Sequence, residues 1–185
     1  MTAVLPSLAM ALLCLLQAGA EVPVQPGFNS EKFAGTWHVV AAFSNCSDFL
    51  KMKDVMMSSI TTISFTPEGD LDMNVIWPLP DRCQKVELLY HQNGQAGHYV
   101  GTSQGQRDTR VVETDYSSYA VTYEILRSEH EFSIGMQLLT REQDVNPQLL
   151  EKFIELIPTM GLTKDMLAVL PKTGECQEGA GWHAR

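Results

Sequence analysis

The chain has 185 residues and a formal net charge of −9 at pH 7, and hydrophobic residues make up 44% of it. This acidity argues against nucleic acid as a partner, because nucleic acid selects for basic patches. It also disfavours binding to anionic membrane surfaces, and charge at this level mainly keeps a protein soluble and monomeric.

Residues 1–20 are typical of a cleaved export signal. The stretch from Val4 to Leu16 is almost wholly apolar, and the small residues at 18–20 offer a small-x-small cleavage site. A basic n-region is missing, and the rival interpretation is a signal anchor, but Pro6 and the short core disfavour a spanning helix and thus stable membrane insertion. We therefore expect a secreted, extracellular protein in which residues 21–185 form a single domain.

Short strands separated by turn residues are predicted to follow one another from Thr36 to about Arg141, after an irregular, Pro- and Gly-bearing segment that runs to Ser30. The predicted strands are 37–43, 60–66, 71–77, 86–90, 98–101, 109–113, 119–126 and 132–140. The segments 67–70 and 93–94 are turn signals. Eight strands with short connections favour an all-β fold, an up-and-down antiparallel β-barrel, because closure removes exposed sheet edges.

One C-terminal amphipathic helix is predicted after the strands. Asn146 is suited to cap it, Pro147 suits its first position, and Pro158 ends the helical pattern. Its apolar stripe consists of Leu149, Leu150, Phe153, Ile154 and Ile157. We expect this stripe to pack on the outside of the barrel, followed by a shorter helical turn that begins at Thr163.

Three motifs in this order resemble those of the lipocalin family. They are Gly35-Thr36-Trp37, Thr114-Asp115-Tyr116 and Arg141. The resemblance covers nearly the whole mature chain and implies a lipocalin calyx whose closed end is formed where Trp37 meets Arg141. Arginine stacks on an aromatic face, Gly35 lets the backbone pass close to the ring, and Asp115 fixes a strand corner. These residues are therefore interpreted as structural, and none as catalytic.

Candidate ligand-binding residues are those expected to face the barrel interior, which is just wide enough for one small ligand. In the early strands, alternation and the family correspondence agree on Val39, Ala41, Phe43, Ser59, Thr61, Ile63, Met73, Val75, Trp77, Val86, Leu88 and Tyr90. In the predicted strand 119–126 the odd-numbered residues form the more apolar face, but the resemblance places that face under the C-terminal helix. The remaining inward residues are then Ala120, Thr122, Glu124, Gln137, Leu139, Arg107 and Thr109.

An apolar pocket with a few polar groups suits a small hydrophobic ligand such as a fatty acid, retinoid or prostanoid. Arg107, near the rim, is placed to meet an anionic headgroup. Glu124 argues against a plain fatty-acid site unless Arg107 or the ligand offsets its charge. In the alternative interpretation both side chains are solvated at the mouth. A siderophore would require several inward cations, and only Arg107 is available.

An enzymatic alternative comes from the part of the family that the chain resembles most, the prostaglandin D synthases and extracellular fatty-acid-binding lipocalins. The synthases use a cavity cysteine on the second strand as a thiolate nucleophile toward an endoperoxide. Alignment of the strands places Ser59 there, and a serine lacks the accessible thiolate that this chemistry requires. The motifs of serine hydrolases and zinc enzymes are also absent from the sequence, so we predict no catalytic residue, metal or cofactor.

Three cysteines remain after removal of the signal, namely Cys46, Cys83 and Cys176. One pair is expected in an oxidising compartment, and spacing alone leaves its identity open. The resemblance implies Cys83–Cys176. Cys46 would then be available for an intermolecular disulfide, which makes a Cys46-linked dimer or another protein partner, such as a cell-surface receptor, the alternative to a monomeric carrier.

The loop from Ser44 to Met57 is expected to cover the barrel entrance. Its phenylalanine, leucine and methionine residues make it apolar and deformable, as suits adaptable ligand contacts. Asn45-Cys46-Ser47 is an Asn-x-Ser sequon, so Asn45 is a candidate glycosylation site.

Overall fold

The computed structural model describes residues 21–79, 81–103, 105–174 and 176, so the predicted export signal lies outside the described residues. The strands are β1 Gly35–Ser44, β2 Ser59–Phe65, β3 Leu71–Pro78, β4 Cys83–Gln92, β5 His98–Gly101, β6 Gln106–Thr114, β7 Tyr119–Arg127, β8 Phe132–Thr140 and β9 Leu167–Val169. The α-helices are α1 Ser30–Phe33, α2 Ser47–Met52 and α3 Pro147–Thr159, and a 3₁₀ helix spans Lys164–Met166.

Strands β1 to β8 form a closed antiparallel barrel. Each strand pairs with the next along the chain, and β1 closes the barrel by pairing with both β2 and β8. The predicted fold, an eight-stranded up-and-down barrel with an external C-terminal helix, is confirmed. Two separate apolar clusters follow from the alternation of side chains, one inside the barrel and one between the barrel wall and α3.

A β-bulge interrupts β1 where it passes from one neighbour to another. Residues Gly35–Val39 of β1 pair with β2, and residues Ala41–Phe43 pair with β9. The register against β8 shifts between Val39 and Ala41, and the Val40 carbonyl accepts a hydrogen bond from Leu170 N at 2.9 Å. The strand β9, which sequence analysis did not predict, therefore fills the seam that opens between β1 and β2.

After the bulge, the side chains of β1 that alternation would direct into the barrel point outward instead. Strict alternation placed Ala41 and Phe43 in the cavity, and this prediction is wrong. Both belong to the cluster under α3, where the Phe43 ring lies 5.1 Å from the Phe153 ring, centroid to centroid. One extra residue in a strand moves every later side chain to the opposite face of the sheet.

Helix α3 begins as predicted and packs on the outside of the barrel. The Asn146 side-chain oxygen accepts from Gln148 N at 2.8 Å, and Pro147 occupies the first turn. Phe153 and Ile157 are buried against the outward faces of β7 and β8. Pro158 does not end the helix immediately, since one more residue is helical.

Two short helices occur where only irregular chain was expected. Helix α1 lies at the closed end of the barrel and is capped by Asn29, whose side chain accepts from Lys32 N at 2.9 Å. Helix α2 lies within the loop Ser44–Met57 at the open end. Helices this short leave little periodicity to detect in a sequence, because each contains fewer than two turns.

The Cys83–Cys176 disulfide implied by the family resemblance is present. It joins the first residue of β4 to the C-terminal tail across 93 residues of sequence, with the two Cα atoms 5.8 Å apart. Cys46 is the free cysteine among the described residues. The tail that carries β9 is therefore attached to the barrel both by strand pairing and by a covalent bond.

Candidate functional site

The closed end of the barrel is sealed by Trp37 and Arg141. The Trp37 side chain is 0% exposed, and the guanidinium carbon of Arg141 lies 3.7 Å from its ring centroid. The indole N–H donates to Phe33 O at 2.9 Å. Arg141 donates to the carbonyl groups of Tyr116, Thr36, Lys32 and Ala34 at 3.0–3.1 Å and to that of Phe33 at 3.4 Å. Trp37 and Arg141, which were predicted to meet at the base, are therefore in contact.

Gly35 lies at the base as predicted, but the group that its missing Cβ leaves room for is the Arg141 guanidinium rather than the Trp37 ring. Its φ is +107°, and a Cβ added there would lie 3.1 Å from Arg141 Nη1. A side chain at this position would be strained and would press against the guanidinium group. Glycine therefore allows the first strand to begin directly over the stacked pair.

Asp115 holds the corner between β6 and β7. Its Oδ1 accepts from the backbone N–H groups of Ser117, Ser118 and Tyr119 at 2.8–3.1 Å. Burial alone would raise the pKa of this carboxyl, but these bonds and one from the Ser118 hydroxyl lower it. Thr114 Oγ1 accepts from Tyr116 N, so Thr114, Asp115 and Tyr116 together shape the turn that faces Arg141.

Above this base the barrel contains a cavity of about 130 Å³. The residues predicted to bind ligand, apart from Ala41 and Phe43, line it. They are Val39, Ser59, Thr61, Ile63, Met73, Val75, Trp77, Val86, Leu88, Tyr90, Arg107, Thr109, Thr122, Glu124, Gln137 and Leu139. Ala120 belongs to the interior cluster, as expected. The odd-numbered row of β7 packs under α3, which is where the resemblance placed it.

Sequence analysis missed four cavity residues, Phe33, Leu71, Tyr99 and Val111. Leu71 and Val111 continue the alternation of Met73 and Thr109, so extending each row by one step would have found them. Phe33 reaches the cavity from α1, and no local pattern indicates that. Tyr99 lies on β5, which is too short for its alternation to define a face.

A polar cluster lies at the mouth side of the cavity, near the β5–β6 loop. Arg107 Nη1 donates to Glu124 Oε1 at 2.5 Å, and the Thr109 hydroxyl donates to Glu124 Oε2 at 3.2 Å. Arg107 Nε also donates to Ser103 O at 3.1 Å. Desolvation raises the pKa of Glu124 although Arg107 and Thr109 oppose the shift. Both side chains therefore face the cavity and are paired with each other there.

Tyr90 completes the polar side of the cavity. Desolvation, together with the nearby Glu124 carboxylate, raises the pKa of its phenol to about 12, so the hydroxyl stays protonated at neutral pH. Gly101 makes room for the ring, because a Cβ added to Gly101 would lie 2.7 Å from Tyr90 Cδ1. The cavity wall thus offers hydroxyl groups beside one ion pair.

Away from the Arg107–Glu124 pair, the open end of the barrel is apolar. The Trp77 side chain lines the cavity and is 40% exposed, and Phe49 and Met56 pack against the interior cluster. The loop that was expected to cover the entrance therefore contributes side chains to it. Met52, Val55 and Met57, from the same loop, are exposed.

Asn45 and Cys46 lie where β1 gives way to this loop. The Asn45 side-chain oxygen accepts from Ile134 N at 2.8 Å, which ties the loop start to β8. Cys46 is partly buried, and its Sγ lies 3.9 Å from Glu131 Oε2. Glycosylation of Asn45 and disulfide formation by Cys46 stay predictions.

Ser59 lines the cavity and is almost fully buried opposite Val39. None of the described histidines lines the cavity, and His91 and His98 instead pair with Asp70 and Asp108. In the described part of the chain there is no cluster of three or more potential metal ligands. Among the same residues, no helix has the length and apolar character needed to cross a membrane.

A closed eight-stranded barrel with a sealed base and an internal cavity defines the calyx class of binding proteins. The model of the "Lipocalin / cytosolic fatty-acid binding protein family" matches residues 34–174. Human Lipocalin-15 is 42% identical over 167 residues, which covers 90% of this chain and 91% of the human protein. The chain therefore belongs to the lipocalin family.

Other relatives have more specific names. The extracellular fatty acid-binding protein of Gallus gallus is 34% identical, and the alignment covers 92% of this chain and 94% of the relative. The prostaglandin-H2 D-isomerase of Ovis aries is 31% identical, with 92% and 93% covered. A solved structure described as the siderocalin Ex-FABP, which functions through dual ligand specificities, superimposes with a TM-score of 0.70 and 30% identity. It covers 77% of this chain and 96% of its own.

Proposed function

We propose that this protein is a secreted carrier that binds one small hydrophobic molecule, of the fatty-acid, retinoid or prostanoid kind, inside its barrel. The observation that carries the proposal is the apolar cavity, which is closed below by Trp37 and Arg141 and opens at the apolar mouth. Removing apolar ligand surface from water would drive binding, by roughly 25 cal/mol for each Å² buried. The extracellular fatty acid-binding relatives support the same assignment.

The size of the cavity limits the ligand. Its volume of about 130 Å³ lies below the roughly 300–1,000 Å³ of typical ligand pockets. A narrow chain fits this shape better than a fused-ring molecule does. Longer ligands would extend into the mouth, where the methionine-bearing loop can adjust its side chains around them.

Tryptophan fluorescence tests the proposal. Trp77 lines the cavity and is part-exposed, so a bound lipid should quench or shift its emission. We expect saturable titrations with dissociation constants of about 1 μM for at least one member of a broad lipid panel. A Trp77→Phe variant should lose most of the fluorescence change while calorimetry still detects saturable binding. Absence of any saturable binding across the panel would contradict the proposal.

A prostaglandin-H2 isomerase is the second candidate, because several relatives of about this identity are named as that enzyme. Ser59 lines the cavity, and the family alignment assigns it the position that the cysteine nucleophile has in the synthases. We expect the recombinant protein not to convert prostaglandin H2 above the uncatalysed rate. If a Ser59→Cys variant gains activity, then only the nucleophile separates the carrier from the enzyme; activity in the unaltered protein would overturn the carrier assignment.

A disulfide-linked partner is a third candidate, suggested by the free Cys46 beside the mouth. A non-reducing gel of protein from its natural fluid would reveal a second copy or another chain bound through this sulfur. The matched control is a Cys46→Ala variant expressed in the same cells. Native mass spectrometry of the same sample would also weigh any lipid that co-purifies.

A further inference from the structure

The two charged side chains that line the described cavity, Arg107 and Glu124, are bonded to each other. We propose that this pair makes the site selective for a lipid with an uncharged hydroxyl headgroup and unfavourable for a lipid carboxylate. The inference rests on the carrier function proposed above, and it narrows the ligands named there to those whose headgroup is an uncharged hydroxyl rather than a free carboxylate. It also departs from the fatty-acid specificity that the names of some relatives imply for those proteins.

The first argument concerns charge. The side chains of Arg107 and Glu124 are 20% and 31% exposed, so both are largely withdrawn from water. A carboxylate that approached Arg107 would also approach the Glu124 carboxylate, and the site would then hold two anions and one cation. Like charges repel more strongly in a partly desolvated site than in water, because the effective dielectric constant is lower. An uncharged headgroup avoids this repulsion.

The second argument concerns hydrogen bonds. The guanidinium group has five N–H donors, and its described bonds go to Glu124 and Ser103. The Glu124 carboxylate accepts from Arg107 and Thr109 and has lone pairs left over. A ligand hydroxyl can accept from Arg107 and donate to Glu124 at the same time. A carboxylate can only accept, so it leaves the acceptor on Glu124 unmatched.

The third argument concerns position along the cavity. Arg107 is the second residue of β6, and its side chain donates to Ser103 O in the loop between β5 and β6. The deeper wall is apolar and includes the buried side chains of Val39, Ile63, Leu71, Val111 and Leu139. An alkyl chain in the deep part therefore places its headgroup at the Arg107–Glu124 pair.

A matched pair of ligands tests the inference. Decan-1-ol and decanoate share one alkyl chain and differ in headgroup charge near pH 7. By isothermal titration calorimetry we expect decan-1-ol to bind about tenfold or more tightly than decanoate. Equal or tighter binding of decanoate, or no binding of decan-1-ol, would overturn the inference. The carrier function would fall only if the wider lipid panel also failed to bind.

Removal of the anion should reverse the selectivity. In Glu124→Gln the side-chain size and one acceptor oxygen are retained, while Arg107 becomes an unpaired cation. We expect the affinity for decanoate relative to that for decan-1-ol to rise about tenfold. The control is Glu113→Gln, the same substitution at an exposed carboxylate of β6. An unchanged ratio in Glu124→Gln would overturn the inference.

A measurement on the unaltered protein covers the case in which the variant folds poorly. Decyl sulfate stays anionic at all relevant pH values, whereas burial raises the pKa of Glu124. The groups around Glu124 are Arg107 and Thr109 on β6, Tyr90 on β4 and Gln137 on β8, and no described histidine lines the cavity. We expect decyl sulfate to bind more tightly as the pH falls from neutrality through the raised pKa of Glu124, by about tenfold once this carboxyl group is protonated. A flat pH profile would contradict the role of Glu124.

Discussion

At the scale of single residues, Arg141 does more than stack on Trp37. Its guanidinium group donates to carbonyls in and just after helix α1, to that of Thr36 at the start of β1, and to that of Tyr116 in the corner after β6. These three stretches are far apart in sequence and meet at the base of the barrel. One side chain therefore replaces several backbone bonds that the chain cannot make for itself at this end.

Replacing Arg141 by Lys should lower the free energy of unfolding by about 2–4 kcal/mol. An ammonium group keeps the charge but cannot reach carbonyls in several directions or present a flat face to the indole. Urea denaturation followed by circular dichroism would measure the difference. Arg127→Lys is the control, because Arg127 also lies over a ring, that of Phe132, at an exposed position. A loss no larger than that of the control would show that the stacked pair is dispensable.

Asp115 gives a prediction that depends on pH. Its pKa is lower in the folded chain, so its stabilising effect is complete above the unfolded value of about 4 and is lost as the pH falls through the folded value. The carboxylate is exposed and screened by water, so we expect Asp115→Asn to cost only about 0.5–1 kcal/mol near neutral pH.

The cost of Asp115→Asn should shrink between neutral pH and an acidic pH below the folded-state pKa of Asp115, which is lower than its ordinary value, because the carboxylate of the unaltered protein is protonated there. Chemical denaturation at both pH values would test this. Asp48→Asn provides a reference, since Asp48 pairs only with exposed Lys51 on α2 and should contribute little at either pH. A cost for Asp115→Asn that is the same at both pH values would mean that the charge is not responsible.

At the scale of elements, the sequence predicted the parts of the fold that repeat a pattern. Strands β2, β3 and β4 alternate regularly, and α3 carries a cap, an N-terminal proline and an apolar stripe. The bulge in β1 escaped prediction because it depends on Leu170, which supplies a hydrogen bond to Val40 from the far end of the chain. The wrong placement of Ala41 and Phe43 followed from that missing contact.

The cavity was predicted more completely than its chemistry. Local alternation with the family correspondence identified most of the wall, but it could not show that Arg107 and Glu124 bond to each other. Their bond runs diagonally between β6 and β7, because Glu124 lies opposite Thr109 and Arg107 lies opposite Leu126, and it requires both side chains to turn inward. Pairing across strands is a tertiary property that a single sequence leaves open.

Helix α3 should contribute to stability but not to ligand binding. Phe153 is buried against Phe43 on the outer face of the barrel, in a cluster separate from the interior one. We expect Phe153→Ala to lower the free energy of unfolding by about 3–5 kcal/mol. Lipid affinity at a temperature where the variant is folded should change by less than about threefold.

Glu155→Ala is the matched control, because Glu155 is an exposed residue of the same helix. Guanidinium denaturation and fluorescence titration on both variants would separate the two effects. A large loss of lipid affinity in folded Phe153→Ala would mean that the outer cluster shapes the cavity as well.

At the scale of the whole molecule, the disulfide crosslinks a barrel strand to the chain end. Closing a loop across 93 residues restricts the unfolded chain by about 4–5 kcal/mol in the chain-entropy model. We expect a Cys83→Ser, Cys176→Ser double variant to lose stability of this order in thermal unfolding. Cys46→Ser, which removes only the free thiol, should leave the transition nearly unchanged. Equal transitions in all three proteins would contradict the prediction.

The seam between β1 and β2 has a consequence for how the chain matures. The segment that fills it, β9, pairs with residues near the start of the barrel, so more than a hundred residues separate the partners. Contacts that distant in sequence form slowly, because the intervening chain must first be ordered. Until β9 has been synthesised, no strand covers the gap beside Ala41. The barrel wall therefore closes at this point only after the segment around residue 168 has joined the rest of the fold.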